Sequence, residues 1–129
     1  MRLEVVVEWS KGSRERWEWK GGRFARKHEG VAAPVNYGFL PGVLNPVDGE
    51  EVDAVVLGPP LKAKTQVKAW LWGLLWLADG DHKLVLSPDG GEYHEDEVAL
   101  LAWFESERRA RLEGASVAQE WLKELGYSS

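Results

Sequence analysis

The first quarter of the chain alternates between apolar and polar residues with the period of a β-strand. Residues 2–9 (RLEVVVEW) place their apolar side chains mainly on one face, and residues 14–20 (RERWEWK) alternate again. Two glycines at 21–22 separate this second segment from residues 23–29 (RFARKHE). Because paired glycines between alternating segments are typical of a tight hairpin turn, the pattern predicts one strand followed by a β-hairpin.

The middle of the chain predicts further strands joined by irregular connections. Residues 32–42 contain two prolines and two glycines, which favours an irregular segment. The apolar run at 54–57 is typical of a buried strand. Residues 67–77 are apolar on both faces and contain Gly73, which indicates a bend or bulge. Residues 82–88 predict one more strand.

Helical features appear only near the end of the chain. Residues 95–114 have acidic residues at the start and arginines at the end, as the helix dipole prefers. Residues 116–126 carry one apolar stripe and end at Gly126, a predicted C-cap. Several short strands followed by one or two helices predict a mostly β fold, a small barrel with C-terminal helices packed outside it. The length predicts a single domain over residues 1–129.

Composition narrows the class of protein. The chain has no cysteine, which excludes disulfides, thiolate metal sites and cysteine nucleophiles. The N-terminal apolar run is too short for a signal peptide, and the run at 69–78 is about half of the ~20 residues a membrane span needs. We therefore expect a cytoplasmic protein without a membrane partner. The absence of cysteine, the single methionine and the scarcity of Asn and Gln indicate a thermophilic source.

Charge is distributed unevenly along the chain. The net charge of −5 makes nucleic acid an unfavourable partner. Residues 1–47 carry eight Lys/Arg and five Asp/Glu, whereas residues 48–129 carry eight Lys/Arg and sixteen Asp/Glu. The two halves are either complementary surfaces that fold together or the two sides of a site that holds cations and an anion.

Two acidic clusters adjoin the predicted buried strands. The first has four carboxylates within six positions, and the second has two: Asp48, Glu50, Glu51 and Asp53, then Asp79 and Asp81. Uncompensated charge at the mouth of a buried strand is costly, and Mg²⁺ is usually held by a few carboxylates. Two alternatives stay open. The segment 79–81 has the composition of an ordinary hairpin turn, and Asp53 is equally suited to an ion pair with an arginine from the basic half.

Four segments, taken in order, resemble the soluble family I inorganic pyrophosphatases over roughly residues 4–110. They are VVVEWSKGSRERWE, NYGFLPGVL, DGEEVDAVVL and GLLWLADGDHKL. They match the family's Glu-x-Pro-Lys-Gly-Ser opening, its Asn-Tyr-Gly-Phe-Ile-Pro segment, its Asp-Gly-Asp-Pro-x-Asp signature and a strand before further aspartates and a lysine. The resemblance implies a five-stranded barrel of the OB type with flanking helices. It also implies a pyrophosphate or related phosphoanhydride substrate, several Mg²⁺ ions and a homo-oligomer.

The resemblance also implies roles for individual residues. Asp48, Asp53 and Asp81 would be core metal ligands, Asp79 would hold a further Mg²⁺, and Glu8 would lie at the metal site with Glu18 beside the substrate. Glu50 takes the position of the aspartate that assists the attacking water. The residues expected to bind phosphate oxygens are Arg16, Arg26, Tyr37, Lys83 and Arg108. The implied mechanism is metal-assisted hydrolysis with charge-assisted hydrogen bonds to phosphate.

The chain departs from the family at several of these positions. Glu50 replaces an aspartate, Arg16 and Arg108 replace lysines, and Glu107 stands where the family has a tyrosine. Matching Arg26 requires a one-residue gap, so that Arg23 or Lys27 are alternatives. These departures leave open a pseudoenzyme that binds metal and phosphate without efficient turnover. A third hypothesis is a single-strand nucleic-acid binder that stacks bases on Trp9, Trp17 and Trp19.

Overall fold

The computed structural model describes residues 1–27 and 29–127. The strands are β1 (Arg2–Trp9), β2 (Arg16–Lys20), β3 (Arg23–Lys27), β4 (Asn36–Leu44), β5 (Glu51–Val56), β6 (Thr65–Trp76), β7 (Lys83–Ser87) and β8 (Arg111–Gly114). The α-helices are α1 (His94–Ala102) and α2 (Ala115–Glu124), with a short 3-10 helix at Ser106–Arg108 between them. The predicted strand over 23–29 includes His28, which lies outside the described residues. No helix among the described residues is long and apolar enough to cross a membrane.

Five strands close into a barrel. Their order is β1–β4–β5–β7–β6, and β6 pairs back onto β1 with Leu3 opposite Ala69. Strands β5 and β7 pair in parallel, with Ala54 opposite Leu84. Strand β8 extends the sheet beyond β6, and β2 and β3 form a separate hairpin. The predicted five-stranded barrel of the OB type with C-terminal helices is confirmed.

The core follows the alternation seen in the sequence. Leu3, Val5 and Val7 of β1 are all buried, and the first two join Ala118 and Leu122 of α2 in one cluster. Burying each such aliphatic side chain contributes about 1.5–3 kcal/mol. Helix α2 ends where predicted, because Gly126 has a φ of +90° and the Tyr127 amide donates to the Leu122 carbonyl at 2.9 Å. Glycine tolerates this left-handed conformation without strain, and the contact completes a Schellman cap.

The prediction that residues 32–42 are irregular is wrong for their second part. Strand β4 covers Asn36–Leu44 and pairs with β1 on one side and β5 on the other. Its register with β5 shifts between Phe39 and Leu44, so that Pro41 and Gly42 lie in an irregular part of the ladder. Such an irregularity tolerates a proline that a continuous ladder would not, which is why the local sequence did not indicate a strand.

The single helix predicted over 95–114 is also wrong in extent. Helix α1 ends at Ala102, with no basic residue in its last turn, and residues 111–114 form β8. Strand β8 pairs with β6 at Gly73, where a Cβ would collide with the Glu113 carbonyl oxygen. The predicted irregularity at Gly73 is confirmed by a register shift between Leu71 and Gly73. Hydrogen bonding to the exposed edge of β6 therefore overrides the helix propensity of residues 111–114.

Candidate active site

A cleft of about 420 Å³ lies between the β2–β3 hairpin and one end of the barrel. Residues from the first five strands and from the turn between β4 and β5 line it. Five residues that the sequence predicted for the site line it together: Glu8, Glu18, Tyr37, Glu50 and Asp53. Barrel strand pairing and the hairpin thus gather carboxylates that are up to 45 positions apart in the chain.

The parallel pairing of β5 and β7 brings the two acidic clusters together. The Lys83 ammonium, at the start of β7, donates to Asp53 Oδ2 at 2.6 Å and to Asp81 Oδ2 at 2.8 Å. The lysine side chain is 3% exposed, whereas both carboxylates are 27% exposed. Asp53 is therefore compensated by a lysine from the acidic half of the chain and not by an arginine from the basic half.

Arg108 lies across the second acidic cluster. Its Nε donates to Asp79 Oδ2 at 2.8 Å, and its Nη2 lies 3.6 Å from Asp81 Oδ2. The hydrogen bond from Arg108 is the main reason that the pKa of Asp79 is lowered. The Asp81 amide also donates to Asp79 Oδ1 at 3.1 Å, as in a hairpin turn. Asp79 therefore stabilises the hairpin turn through one carboxylate oxygen and forms an ion pair with Arg108 through the other.

Tyr37 connects the acidic site to an aromatic cluster. Its ring stacks on Trp9 with centroids 4.4 Å apart, and Trp103 meets both rings edge-on. Burial raises the pKa of Tyr37 well above its ordinary value, and the charge of Asp53 and a hydrogen bond to it act in the same direction. The tyrosine therefore keeps its proton and presents it to the Asp53 carboxylate.

Glu8, at the end of β1, is a carboxyl group whose pKa is raised strongly. Burial raises its pKa to about 7, the negative charges of Asp53 and Glu18 add to this, and a hydrogen bond from the Trp19 amide at 3.0 Å opposes it. A carboxyl group that titrates near neutral pH within a cleft is a candidate for proton transfer.

Strand β3 of the hairpin carries the three residues that could be the predicted phosphate-binding cation: Arg23, Arg26 and Lys27. The structure places them differently. Lys27 borders the cleft, with its ammonium 3.9 Å from Glu18 Oε2. Arg26 is exposed and lies near Glu29 and Glu15, at 3.5 and 3.7 Å. Arg23 is also exposed and does not line the cleft. Of these three residues, only Lys27 lies beside the carboxylates that line the cleft.

Arg16, the first residue of β2, is held by carbonyl oxygens of the segments that flank the hairpin and does not line the cleft with the carboxylates. It is 8% exposed and donates to the carbonyl oxygens of Ser13 and Glu15, at 3.2 and 3.3 Å, and to that of Val31. Its guanidinium also lies 4.6 Å from the centroid of the Trp9 ring. These contacts connect the two ends of the hairpin to β1.

The first acidic turn is exposed and locally ordered. Asp48 Oδ1 accepts a hydrogen bond from the Glu50 amide at 2.9 Å, and both side chains face solvent. Sequence reasoning missed Asn45, which is 2% exposed and bonded to this turn through its backbone and side chain. Its Nδ2 also lies 3.5 Å from Asp81 Oδ1, so it joins the two acidic clusters. The Asn-Pro pair that opens the turn was the available signal.

The carboxylates fit a hard divalent cation in chemistry and in number. Asp53 and Asp81 meet at one ammonium, and both remain partly exposed. Mg²⁺ is commonly held by one or two carboxylates, with water and phosphate oxygens completing its coordination. Across residues 1–27 and 29–127, no three Asp, Glu or His side chains are grouped closely enough to hold a metal. Asp48, Asp79 and Glu8 thus do not join that pair as one set of ligands.

Comparison with solved structures identifies the fold. An inorganic pyrophosphatase from Neisseria gonorrhoeae is 25% identical with a TM-score of 0.81, over 96% of this chain and 88% of that one. The Helicobacter pylori enzyme is 27% identical with a TM-score of 0.80, over 96% and 91%. The Thermus thermophilus enzyme, 19% identical with a TM-score of 0.79 over 96% and 88%, shows the fold alone.

No family model matches the chain, and no curated protein matches it. The structural likeness nevertheless confirms the resemblance stated from the four sequence segments. The chain has the fold of the soluble inorganic pyrophosphatases and is similar to a short protein of their family I.

Proposed function

We propose that the protein is a hydrolase that cleaves inorganic pyrophosphate to two phosphates with the help of Mg²⁺. The proposal is supported by the likeness to the Neisseria gonorrhoeae and Helicobacter pylori pyrophosphatases. The observation that carries it is the meeting of Asp53, Asp81 and Lys83 at one end of the barrel, beside the cleft. A homo-oligomer, a cytoplasmic location, a thermophilic source and a single domain over 1–129 stay predictions.

Asp53 and Asp81 are the residues that would hold Mg²⁺, with Asp48, Asp79 and Glu8 as further predicted ligands. When bound, the ion would neutralise phosphate charge and lower the pKa of a coordinated water. Binding would compete with Lys83 and Arg108 for the same carboxylate oxygens. Lys83 and Arg108 would then be released from part of their pairing and become available as donors.

The cations and the tyrosine would bind the substrate. Lys83, Arg108 and Lys27 supply charge-assisted hydrogen bonds to phosphate oxygens, which are stronger than bonds between neutral groups. Tyr37 keeps its proton and adds a neutral donor. We place Arg16 outside this group, because its guanidinium already donates to backbone carbonyl oxygens.

Glu50 would accept the proton of the attacking water. It lines the cleft from an exposed turn, so that substrate and water can reach its carboxylate. Water would attack one phosphorus atom, the bond from that phosphorus to the bridging oxygen would break, and the second phosphate would leave. Glu8, with its pKa raised to about 7, is a second group in the cleft that can exchange a proton near neutral pH.

The direct test is phosphate release from pyrophosphate, measured with Mg²⁺ and with chelator. We expect turnover that requires the metal and that falls on the order of 100-fold or more in Asp53→Asn. Glu4→Gln, an exposed carboxylate on the same sheet, is the matched control and should retain full activity. Absence of turnover with Mg²⁺, Mn²⁺ and Co²⁺ would contradict the proposal.

A pseudoenzyme is the second candidate, and it is favoured by the ion pairs of the acidic site. Lys83 and Arg108 already pair with Asp53, Asp79 and Asp81, so most of the negative charge of these carboxylates is compensated by the protein's own cations. In that case calorimetry would detect Mg²⁺-dependent pyrophosphate binding without phosphate release. Recovery of turnover in Glu50→Asp would show that the longer carboxylate is what prevents the reaction.

A further inference from the structure

The cleft has more aromatic surface than inorganic pyrophosphate can use. Trp9, Trp17, Trp19, Tyr37 and Phe39 all line it, alongside the carboxylates. Pyrophosphate consists of two phosphoryl groups and presents only oxygen atoms, which ion pairs and hydrogen bonds recognise. A ring face in the cleft has no counterpart on such a ligand. The cleft volume of about 420 Å³ also falls in the range of roughly 300–1,000 Å³ found for organic ligands.

Most of these rings already have partners within the protein. Trp9 is stacked between Tyr37 and the Arg16 guanidinium, and its Nε1 donates to the Trp17 carbonyl at 3.2 Å. The Trp17 ring is covered by the Lys64 ammonium, 4.0 Å from its centroid. Phe39 is 6% exposed, so little of its ring is accessible to a ligand. These rings are explained by packing.

Trp19 differs from the other rings of the cleft. Its side chain is 40% exposed, and its only aromatic contact among the described residues is a T-shaped one with Phe24, with ring centroids 4.9 Å apart. Its backbone is nevertheless fixed, because Trp19 pairs with Phe24 across the hairpin and its amide donates to Glu8. Trp19 also borders a second groove formed with Phe24, Phe39 and Pro41. An exposed indole whose backbone is held in place at the rim of a polar cleft is suited to stack on a planar ring.

We propose that the hydrolase also accepts a phosphoanhydride that carries a planar base, such as a nucleoside diphosphate, and that this base stacks on Trp19. The proposal rests on the proposed function, because the phosphates of this ligand would occupy the site of Asp53, Asp81 and Lys83. Lys20 and Lys27 line the same cleft and supply positive charge between the two ends of the ligand. Water would add to the β-phosphorus, the bridging P–O bond would break, and the products would be a nucleoside monophosphate, phosphate and a proton.

Calorimetry with two ligands that cannot be hydrolysed tests the stacking contact. One is α,β-methylene-ADP and the other is methylenediphosphonate, which has the same phosphonate group without nucleoside. In the presence of Mg²⁺ we expect the wild type to bind the nucleotide analogue about 10-fold tighter or more, since stacking a base on an aromatic side chain is worth that much. The affinity ratio should fall towards one in Trp19→Leu and recover in Trp19→Phe.

Trp70→Leu is the matched control. Trp70 is similarly exposed, at 43%, but it lies on β6 beside Arg2 and does not line the cleft. It should leave the affinity ratio at its wild-type value. Equal affinity of the wild type for both ligands, or equal weakening of both in Trp19→Leu, would overturn the proposal. A thermal melt of each variant separates loss of the contact from loss of the fold.

The same experiments separate failure of this inference from failure of the proposed function. Turnover of pyrophosphate together with an affinity ratio of one would overturn the stacking contact and leave the hydrolase. A ratio that depends on Trp19, without release of phosphate from pyrophosphate or ADP, would support the nucleotide site and contradict hydrolysis.

Discussion

The barrel wall of the cleft and the hairpin wall hold their charged residues in opposite ways. On the barrel wall, Asp53 lies 2.6 Å from the almost fully buried ammonium of Lys83, which also lies 2.8 Å from Asp81 behind the cleft lining. On the hairpin wall, Lys27 and Glu18 are about half and over a third exposed, with their charged atoms 3.9 Å apart. The barrel charges are fixed by strand pairing before any ligand binds, whereas those of the hairpin are only loosely paired. We infer that the barrel wall positions the reaction and the hairpin wall adapts to the substrate.

The largest effect is expected from Lys83→Met. It leaves Asp53 and Asp81 facing each other without their buried cation, which should lower the free energy of unfolding by about 3–5 kcal/mol in chelator. Added Mg²⁺ should restore part of this loss, since an ion would replace the missing positive charge. Urea unfolding with and without Mg²⁺ measures both effects.

Lys68→Met is the control for that experiment. Lys68 forms an exposed pair with Glu4 at 3.7 Å, and such pairs are worth about 0–1 kcal/mol. If the two variants lose equal stability, the barrel wall is no more rigidly built than an ordinary surface pair, and the comparison fails.

Asp53→Asn should act on metal binding more than on the apo fold. Asp81 still compensates Lys83 in this variant, so we expect a loss of only about 1 kcal/mol in chelator. In the wild type, Mg²⁺ at 100 times its Kd should stabilise the fold by about 2.7 kcal/mol and so raise the melting temperature. This rise should largely disappear in Asp53→Asn. A melt in which Asp53→Asn keeps its full Mg²⁺ shift would show that Asp53 is not a metal ligand.

Arg16→Lys tests the assignment of Arg16 to loop structure. Lysine can neither bond three carbonyl oxygens in one plane nor stack as a planar group on Trp9, so we expect a loss of about 1–2 kcal/mol. KM for pyrophosphate should stay within a factor of two, because Arg16 does not contact the carboxylates of the cleft. A KM that rises while stability is unchanged would instead support the phosphate role implied by the resemblance.

Glu8→Gln should change how stability depends on pH. Because the folded pKa of Glu8 is raised from 4.5 to about 7, the folded state binds a proton more tightly than the unfolded state does. Its contribution to stability is therefore fully present below about pH 4.5 and is lost as pH rises towards about 7. The variant should lack this decline and be the more stable protein at pH 8. Urea midpoints at pH 5, 6 and 8 measure it, and identical slopes in both proteins would contradict it.

The sequence identified more of the fold than of the site. Alternation in residues 2–9 and 14–20 predicted β1 and β2, because burial of one face depends only on local periodicity. Four segments in order indicated the barrel and its acidic end. They also placed Arg16 and Arg26 with the substrate, but in the structure Arg16 donates to backbone carbonyl oxygens and Arg26 pairs with Glu29 outside the cleft lining. Local conformational preferences form the hairpin, but they do not determine which of its basic side chains reaches the carboxylates of the barrel.

What the sequence by itself determined is the set of strands with one clear apolar face, helix α2 with its cap at Gly126, and the two acidic clusters at strand ends. The tertiary structure decided that residues 36–44 and 111–114 are strands, because their backbone groups are satisfied by partners on β1, β5 and β6 that lie far away in the chain. It also decided that Lys83 compensates Asp53, 30 positions away. That contact depends on parallel pairing of β5 and β7, a long-range choice that no local pattern encodes.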